Sequence, residues 1–201
     1  DNSSSQWAAI GMIPAEREWG LTIPQFVKTE NLFAQTQMRR GATYGYSALH
    51  GCIWGCAATT PSGMVQLVMD GVASDDERFA DGAEWIADNW GASENPGRTL
   101  MLGYTYGLFA AVKAFRLAQP PVDVIRKTDG TDFDWYHHPT LGVAHLSVTR
   151  QNAAGSFYSR KYRQSMDGMS TQWHLLMLAP SLFAQAPKAV AIADPADAAI
   201  N

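Results

Sequence analysis

Ser4-Ser5-Gln6-Trp7-Ala8-Ala9-Ile10 and Ser170-Thr171-Gln172-Trp173-His174-Leu175-Leu176 are two copies of one phrase. Each is a polar helix start that runs into an apolar stripe. A second phrase is also doubled. Gln-x-x-x-Gly followed by an aromatic occurs at Gln37 to Gly41 with Tyr44, and at Gln151 to Gly155 with Phe157. Two phrases in two copies predict a helical repeat protein. The outer copies leave room for about three units of roughly 50 residues.

Working outward from these phrases, the chain divides into helices punctuated by Gly and Pro. The first helix is expected to start after Asn2 or Ser3 and to run to Trp19, where Gly20 stops it. Pro24 suits a first helical position, and apolar spacing carries a second helix to Arg40. From Gly41 to Thr60 the chain reads as an ordered loop rich in Gly and aromatics. Thr60-Pro61 opens a third helix, closed near Gly71. Ser74 with Glu77 forms a capping box for a fourth helix that reaches Trp90. Ser93-Glu94-Asn95-Pro96-Gly97 is a turn. Leu100, Tyr104, Leu108, Ala111 and Phe115 mark the fifth helix, ended by Gln119-Pro120-Pro121. Asp134 is expected to cap a sixth helix toward Arg150, and a seventh runs from Ser170 to about Phe183. No strand ladder is evident. The class is all-α, built from antiparallel helix pairs, with one repeat domain over 1–184 and an Ala/Pro-rich extended tail over 185–201.

Composition narrows the function classes. The chain has 201 residues, enough for a sizeable core. It is aromatic, with seven Trp, seven Tyr and eight Phe, and its formal net charge is only −4. No basic stripe argues for nucleic-acid binding. No apolar run approaches the roughly 20 residues of a membrane span. No initiator Met or signal peptide is present, so a processed form or part of a longer chain is expected. Cys52 and Cys56 lie four apart in His50-Gly51-Cys52-Ile53-Trp54-Gly55-Cys56. Two readings stand: a disulfide in a bent loop, or two ordinary buried thiols. The expected location is exported, periplasmic or extracellular. Asn2-Ser3-Ser4 matches the glycosylation sequon, a triplet frequent by chance.

Gln-x-x-x-Gly-x-aromatic, then a loop, then Ser-Thr-x-x-x-Leu-Leu-x-Leu resembles the repeat of prenyltransferases and squalene-type cyclases. The best copy runs from Gln151 through Phe157 to Leu178, and the earlier copy carries one extra residue before its aromatic. Asp1-Asn2-Ser3-Ser4-Ser5-Gln6, Glu94-Asn95-Pro96-Gly97, Tyr104-Thr105-Tyr106-Gly107-Leu108 and Asp134-Trp135-Tyr136 look like bacterial members of that superfamily. The resemblance covers roughly residues 1–183. It implies an α/α toroid, or a partial toroid if the ring is incomplete. A closed ring needs more helices than the seven or so read here, so an open arc with exposed helical faces is expected to associate. In such a repeat the glycine lets a loop pass close to a helix, the aromatic packs on that helix, and the Gln side chain holds loop backbone.

The same resemblance directs attention to chemistry. Squalene-type cyclases protonate an alkene with an Asp-x-Asp-Asp motif, and the nearest match is Ala73-Ser74-Asp75-Asp76, whose leading Asp is replaced by Ala73. Asp75 and Asp76 also suit a helix first turn. Asp129, Asp132 and Asp134 read as a turn followed by a cap. Protein prenyltransferases hold zinc with Asp, Cys and His. Here Asp134-Trp135-Tyr136-His137 and Gly51-Cys52 are similar, which makes Cys52, Cys56 and His137 the zinc candidates, although the Asp expected before the Cys is missing. Trp54, Tyr104, Tyr106, Trp135 and Trp173 could line a cavity for an apolar molecule or serve packing alone. His174 sits in an apolar stripe and reads as a satisfied core or rim histidine.

The expected function is therefore a non-catalytic binding or assembly module that engages a protein partner or a second copy. The alternative is an enzyme on an isoprenoid or similar apolar substrate, by cyclisation or zinc-dependent prenyl transfer.

Overall fold

The structure, a computed structural model, describes residues 1–52, 56–91, 104–157 and 167–179. The helices among them are α1 (Asn2–Trp19), α2 (Gln25–Met38), α3 (Thr59–Met69), α4 (Glu77–Asp88), α5 (Thr105–Leu117), α6 (Val143–Thr149) and α7 (Asp167–Leu178). Two small antiparallel pairs accompany them: β1 (Arg39–Arg40) with β2 (Thr43–Tyr44), and β3 (Val124–Arg126) with β4 (Asp132–Asp134). The chain is thus largely α. The turn expected at 93–97, the start of the fifth helix at Leu100, Trp54 and the tail over 185–201 lie outside the described residues.

α3 and α5 hold the centre. Every residue of α3 is buried, and so is all of α5 except Arg116. A helix with no exposed face must be covered on all sides. α1 and α5 flank α3, and α7 packs on α5, so the odd-numbered helices form one row. α2 and α4 lie against α3, and α6 lies against α7. Met64, Val65, Leu67 and Val68 of α3 are almost completely buried. Each contributes about 1.5–3 kcal/mol relative to an exposed position.

The later Gln-x-x-x-Gly copy closes through its Gln, whereas in the earlier copy Arg39 Nε donates to Gly41 O. Gln151 Nε2 donates to Gly155 O at 2.8 Å, and Gly155 takes the left-handed φ of 83°. The Phe157 ring then stacks on His174 of α7 at 4.4 Å. In the earlier copy, Tyr44 is 1% exposed and lies against Gly63 of α3, where a Cβ would come within 2.5 Å of its ring. Each loop aromatic thus lands on a helix of the odd-numbered row.

Several local expectations are corrected. Asp1, not Asn2 or Ser3, caps α1, accepting from Ser4 N at 2.9 Å. Asn2 is instead buried. α2 stops at Met38, because residues 39–44 turn back as a hairpin, one of the two sheets that short polar segments did not advertise. α4 is capped by Asp76 and not by Ser74. The Asp76 carboxylate takes Arg78 N, while Ser74 N donates to Gln119 O. Asp134 ends β4 and does not cap a helix. Its Oδ1 accepts from the backbone N–H groups of Tyr136 and His137, which closes a turn, and α6 starts only at Val143.

Candidate functional site

The two copies of the Trp phrase converge on α5. The helical spacing of Tyr106 and Phe109 puts both rings on one side of that helix. Trp7 of α1 stacks on Phe109 at 5.7 Å and lies 6.0 Å from Tyr106. Trp173 of α7 stacks on Phe109 at 6.4 Å and meets Tyr106 edge-on at 5.5 Å. Tyr104 adds a further ring 5.7 Å from Tyr106. Lys113, one turn beyond Phe109, holds its Nζ 5.3 Å from that ring. Burial pulls the Lys113 pKa down from its ordinary value, and Arg116 adds to this. Trp7 is 41% exposed and gives the cluster an open edge; Tyr104, Tyr106, Phe109 and Trp173 are buried.

Tyr106 also joins this cluster to a buried polar seam. Its hydroxyl accepts from Gln6 Nε2 and donates to Ser3 O at 2.8 Å. Gln6 Oε1 accepts from Ser62 Oγ at 2.8 Å. One turn along α3, Gln66 Nε2 donates to Asn2 Oδ1 and, at 3.1 Å, to Ser62 O. Gln35 Nε2 of α2 reaches Gln66 Oε1 at 2.8 Å. Asn31 Nδ2 reaches Asp70 Oδ2 at 2.7 Å. The seam draws on one register in three helices: Asn2 and Gln6 in α1, Asn31 and Gln35 in α2, and Ser62 and Gln66 in α3, continued by its C-cap Asp70. Spacing of four residues places each set on one helix face. Buried carboxamides need such partners, because each unpaired group costs about 1–3 kcal/mol.

The seam contains the titratable group that the sequence reading missed. Asp70 follows the last helical residue of α3. Burial pushes its pKa up to about 7, opposed by the hydrogen bond from Asn31. Oδ1 of Asp70 is buried without a hydrogen-bond partner among the described residues. Its signal was its place four residues after Gln66. Beside the seam, between α1, α2 and the 47–48 loop, runs an open groove of about 490 Å³. Ser5, Phe33, Gln37 and Ser47 line it, together with Asn31 and Gln66 of the seam.

The other sequence candidates lie elsewhere. Trp135 packs on Phe115 at 5.3 Å and donates from Nε1 to Val122 O at 2.7 Å. The Arg116 guanidinium sits 4.6 Å over Tyr136, next to Trp135. This group is built around α5 and the segment after β4. Asp75 is exposed. Asp76 is held at a pKa of about 2, chiefly by the hydrogen bonds from Arg78. An acid that protonates an alkene must carry a proton, so this ion pair is the opposite environment.

The zinc donor set does not fit. Cys52 and Cys56 are joined in a disulfide, with Cα atoms 4.6 Å apart, which decides between the two readings of the cysteines. A disulfide sulfur is not the thiolate that zinc takes. His137 is exposed and pairs with Asp134 at 3.4 Å. Among the described residues no group of three His, Cys, Asp or Glu side chains converges.

His174 takes the core role expected of it. It is 2% exposed, its Nδ1 lies 2.9 Å from Ser147 Oγ of α6, and Phe157 covers one face. Burial lowers its pKa to about 4, with Arg150 adding to the effect.

No known protein family matches the chain, and comparison with curated proteins and with solved structures gave no significant match. No helix among the described residues is long and apolar enough to cross a membrane.

Proposed function

We propose that this chain is an arc of an α/α toroid of the prenyltransferase and squalene-cyclase type, serving as a non-catalytic binding or assembly module for another protein chain. The observation that carries this reading is a pair of exposed apolar faces, one on α7 at the end of the helical row and one on α2 beside it. α7 buries Trp173, His174 and Met177 on one side, yet leaves Met169, Leu175 and Leu176 exposed on the other. α2 leaves Phe26 and Phe33 exposed, two turns apart. A helix apolar on both faces belongs between two neighbours, and an array of repeats exposes such faces where it ends. The row of odd-numbered helices and the loop aromatics seated on it support the toroid part of the reading. The contacts among Trp7, Tyr106, Phe109 and Trp173 suit packing across the inside of a tight arc.

Light scattering after size exclusion tests the proposal. The chain is expected to associate, with itself or with an added partner. Glu at both Leu175 and Leu176 is expected to abolish that association while the circular dichroism stays helical. A monomeric protein that turns over a polyprenyl substrate would overturn the reading in favour of an enzyme.

A further inference from the structure

The Cys52–Cys56 disulfide joins two unlike sulfurs. Cys52 is exposed, whereas Cys56 is 9% exposed and lies three residues before the first helical residue of α3. Ala58, the N-cap of α3, offers no side chain to the helix start. A thiolate near such an end is favoured by the unpaired N–H groups and the helix dipole. Cys56 is also the one non-glycine residue at positive φ among the described residues, at 67°. A left-handed backbone is unfavourable for a side chain with a Cβ, so releasing Cys56 relieves strain.

The chain around the bond has other anchors. Asn2 Nδ2 donates to Gly45 O and Thr59 O and so grips both ends of the loop that carries the cysteines. Tyr46 N donates to Gly51 O, and Ser47 N to His50 O. A bridge over a separation of four residues removes little entropy from the unfolded chain. Opening it leaves these anchors in place.

We infer that Cys52–Cys56 is a thiol–disulfide exchange site for a soluble dithiol. One thiolate of the dithiol attacks the exposed Cys52 sulfur. The Cys52–Cys56 bond breaks, a mixed disulfide forms on Cys52, and Cys56 leaves as a thiolate beside the α3 N-terminus. The second thiolate of the dithiol then attacks its own sulfur in the mixed disulfide. Cys52 leaves as a thiolate, the dithiol is oxidised to its disulfide, and the two cysteines are reduced by the same two electrons.

The test treats the folded protein with dithiothreitol in the absence of denaturant, quenches with iodoacetamide and weighs the product. Both cysteines are expected to be alkylated, with the helical circular dichroism unchanged. The single variants Cys56→Ser and Cys52→Ser are then exposed to oxidised glutathione. Cys56→Ser is expected to form its glutathione adduct at least about 10-fold faster, because its remaining thiol is the exposed one and access outweighs the thiolate bias of the buried Cys56. A bond that resists dithiothreitol until denaturant is added, loss of helical signal on reduction, or equal rates for the two variants would each overturn the assignment. The wild-type measurement stands even if a variant fails to fold.

Discussion

Gln6 of α1 donates its Nε2 to the hydroxyl of Tyr106 on α5, a partner one hundred residues away. The bond joins α1 and α5 directly, and both helices also pack on α3. It also ties the aromatic cluster to the carboxamide seam. Tyr106→Phe removes the acceptor of Gln6 Nε2 and the donor to Ser3 O; Gln6→Leu removes the other end. Each single change is expected to cost about 1–3 kcal/mol, and the double change less than their sum. Urea unfolding of the four proteins measures the coupling.

Gly107 marks the closest approach of α5 to the α3 entry. A Cβ there would lie 2.2 Å from the Ala57 carbonyl oxygen. Backbone cannot yield as a flexible side chain can, so Gly107→Ala is expected to destabilise by about 1–3 kcal/mol or more. Gly11, inside α1, meets nothing within 4 Å. Gly11→Ala is expected to stabilise by about 0.5–1 kcal/mol. Thermal unfolding of the two variants should move in opposite directions.

Asp70 and His174 give stability opposing slopes with pH. His174 is held neutral down to about pH 4 instead of its ordinary 6.5. Between those values the unfolded chain takes up a proton that the fold refuses, so stability falls as pH falls. Asp70 keeps its proton up to about pH 7 instead of 3.8. There the unfolded chain has given its proton up, so stability falls as pH rises. Each slope is bounded by one proton. Asp70→Asn is expected to leave a protein that gains stability from about pH 4.5 to 6.5, and His174→Gln one that loses it. Urea midpoints across that range check both signs; identical profiles would sink the argument.

Asn2 belongs to the core despite its sequon. It is fully buried, and its Nδ2 donates to Gly45 O and Thr59 O. A glycan on that nitrogen is incompatible with the fold. Asn2 is expected to remain unmodified in folded protein from a glycosylating host, as peptide mass spectrometry would show. Asn2→Ala is expected to cost about 2 kcal/mol, because it removes one acceptor of Gln66 Nε2 and the side-chain donor to the Gly45 and Thr59 carbonyls.

The helices that were legible are those whose evidence is local. α1 ends at Trp19 with Gly20 in the left-handed conformation, as its pattern implies, and α3 starts at Thr59 next to the expected Thr60-Pro61. The Gln151 loop was also legible, because Gln151 and Gly155 satisfy each other within five residues. What failed were choices between equivalent local options. Asp1, Asn2 and Ser3 are all good caps, and so are Ser74 and Asp76. Asp134 can close a turn as well as open a helix. Competing partners decide such cases, and those partners are distant in sequence. The seam was hidden for the same reason: Asn31, Gln35 and Gln66 have the composition of a solvated surface.

By itself the sequence determined the helical class, the bounds of α1 and α3, and that the loop aromatics Tyr44 and Phe157 dock on helices. Those features depend on periodicity, caps and glycine conformations within a few residues. Only the tertiary structure decided which polar groups are core. Whether Gln6, Gln35, Gln66 and Asn2 face water or one another depends on three helices arriving in register. A buried amide is tolerable only when its partner is already there. The same holds for the acids. The Arg78 hydrogen bonds favour the ionised form of Asp76, and burial in the seam favours the protonated form of Asp70, yet as sequence both are an Asp next to a helix end.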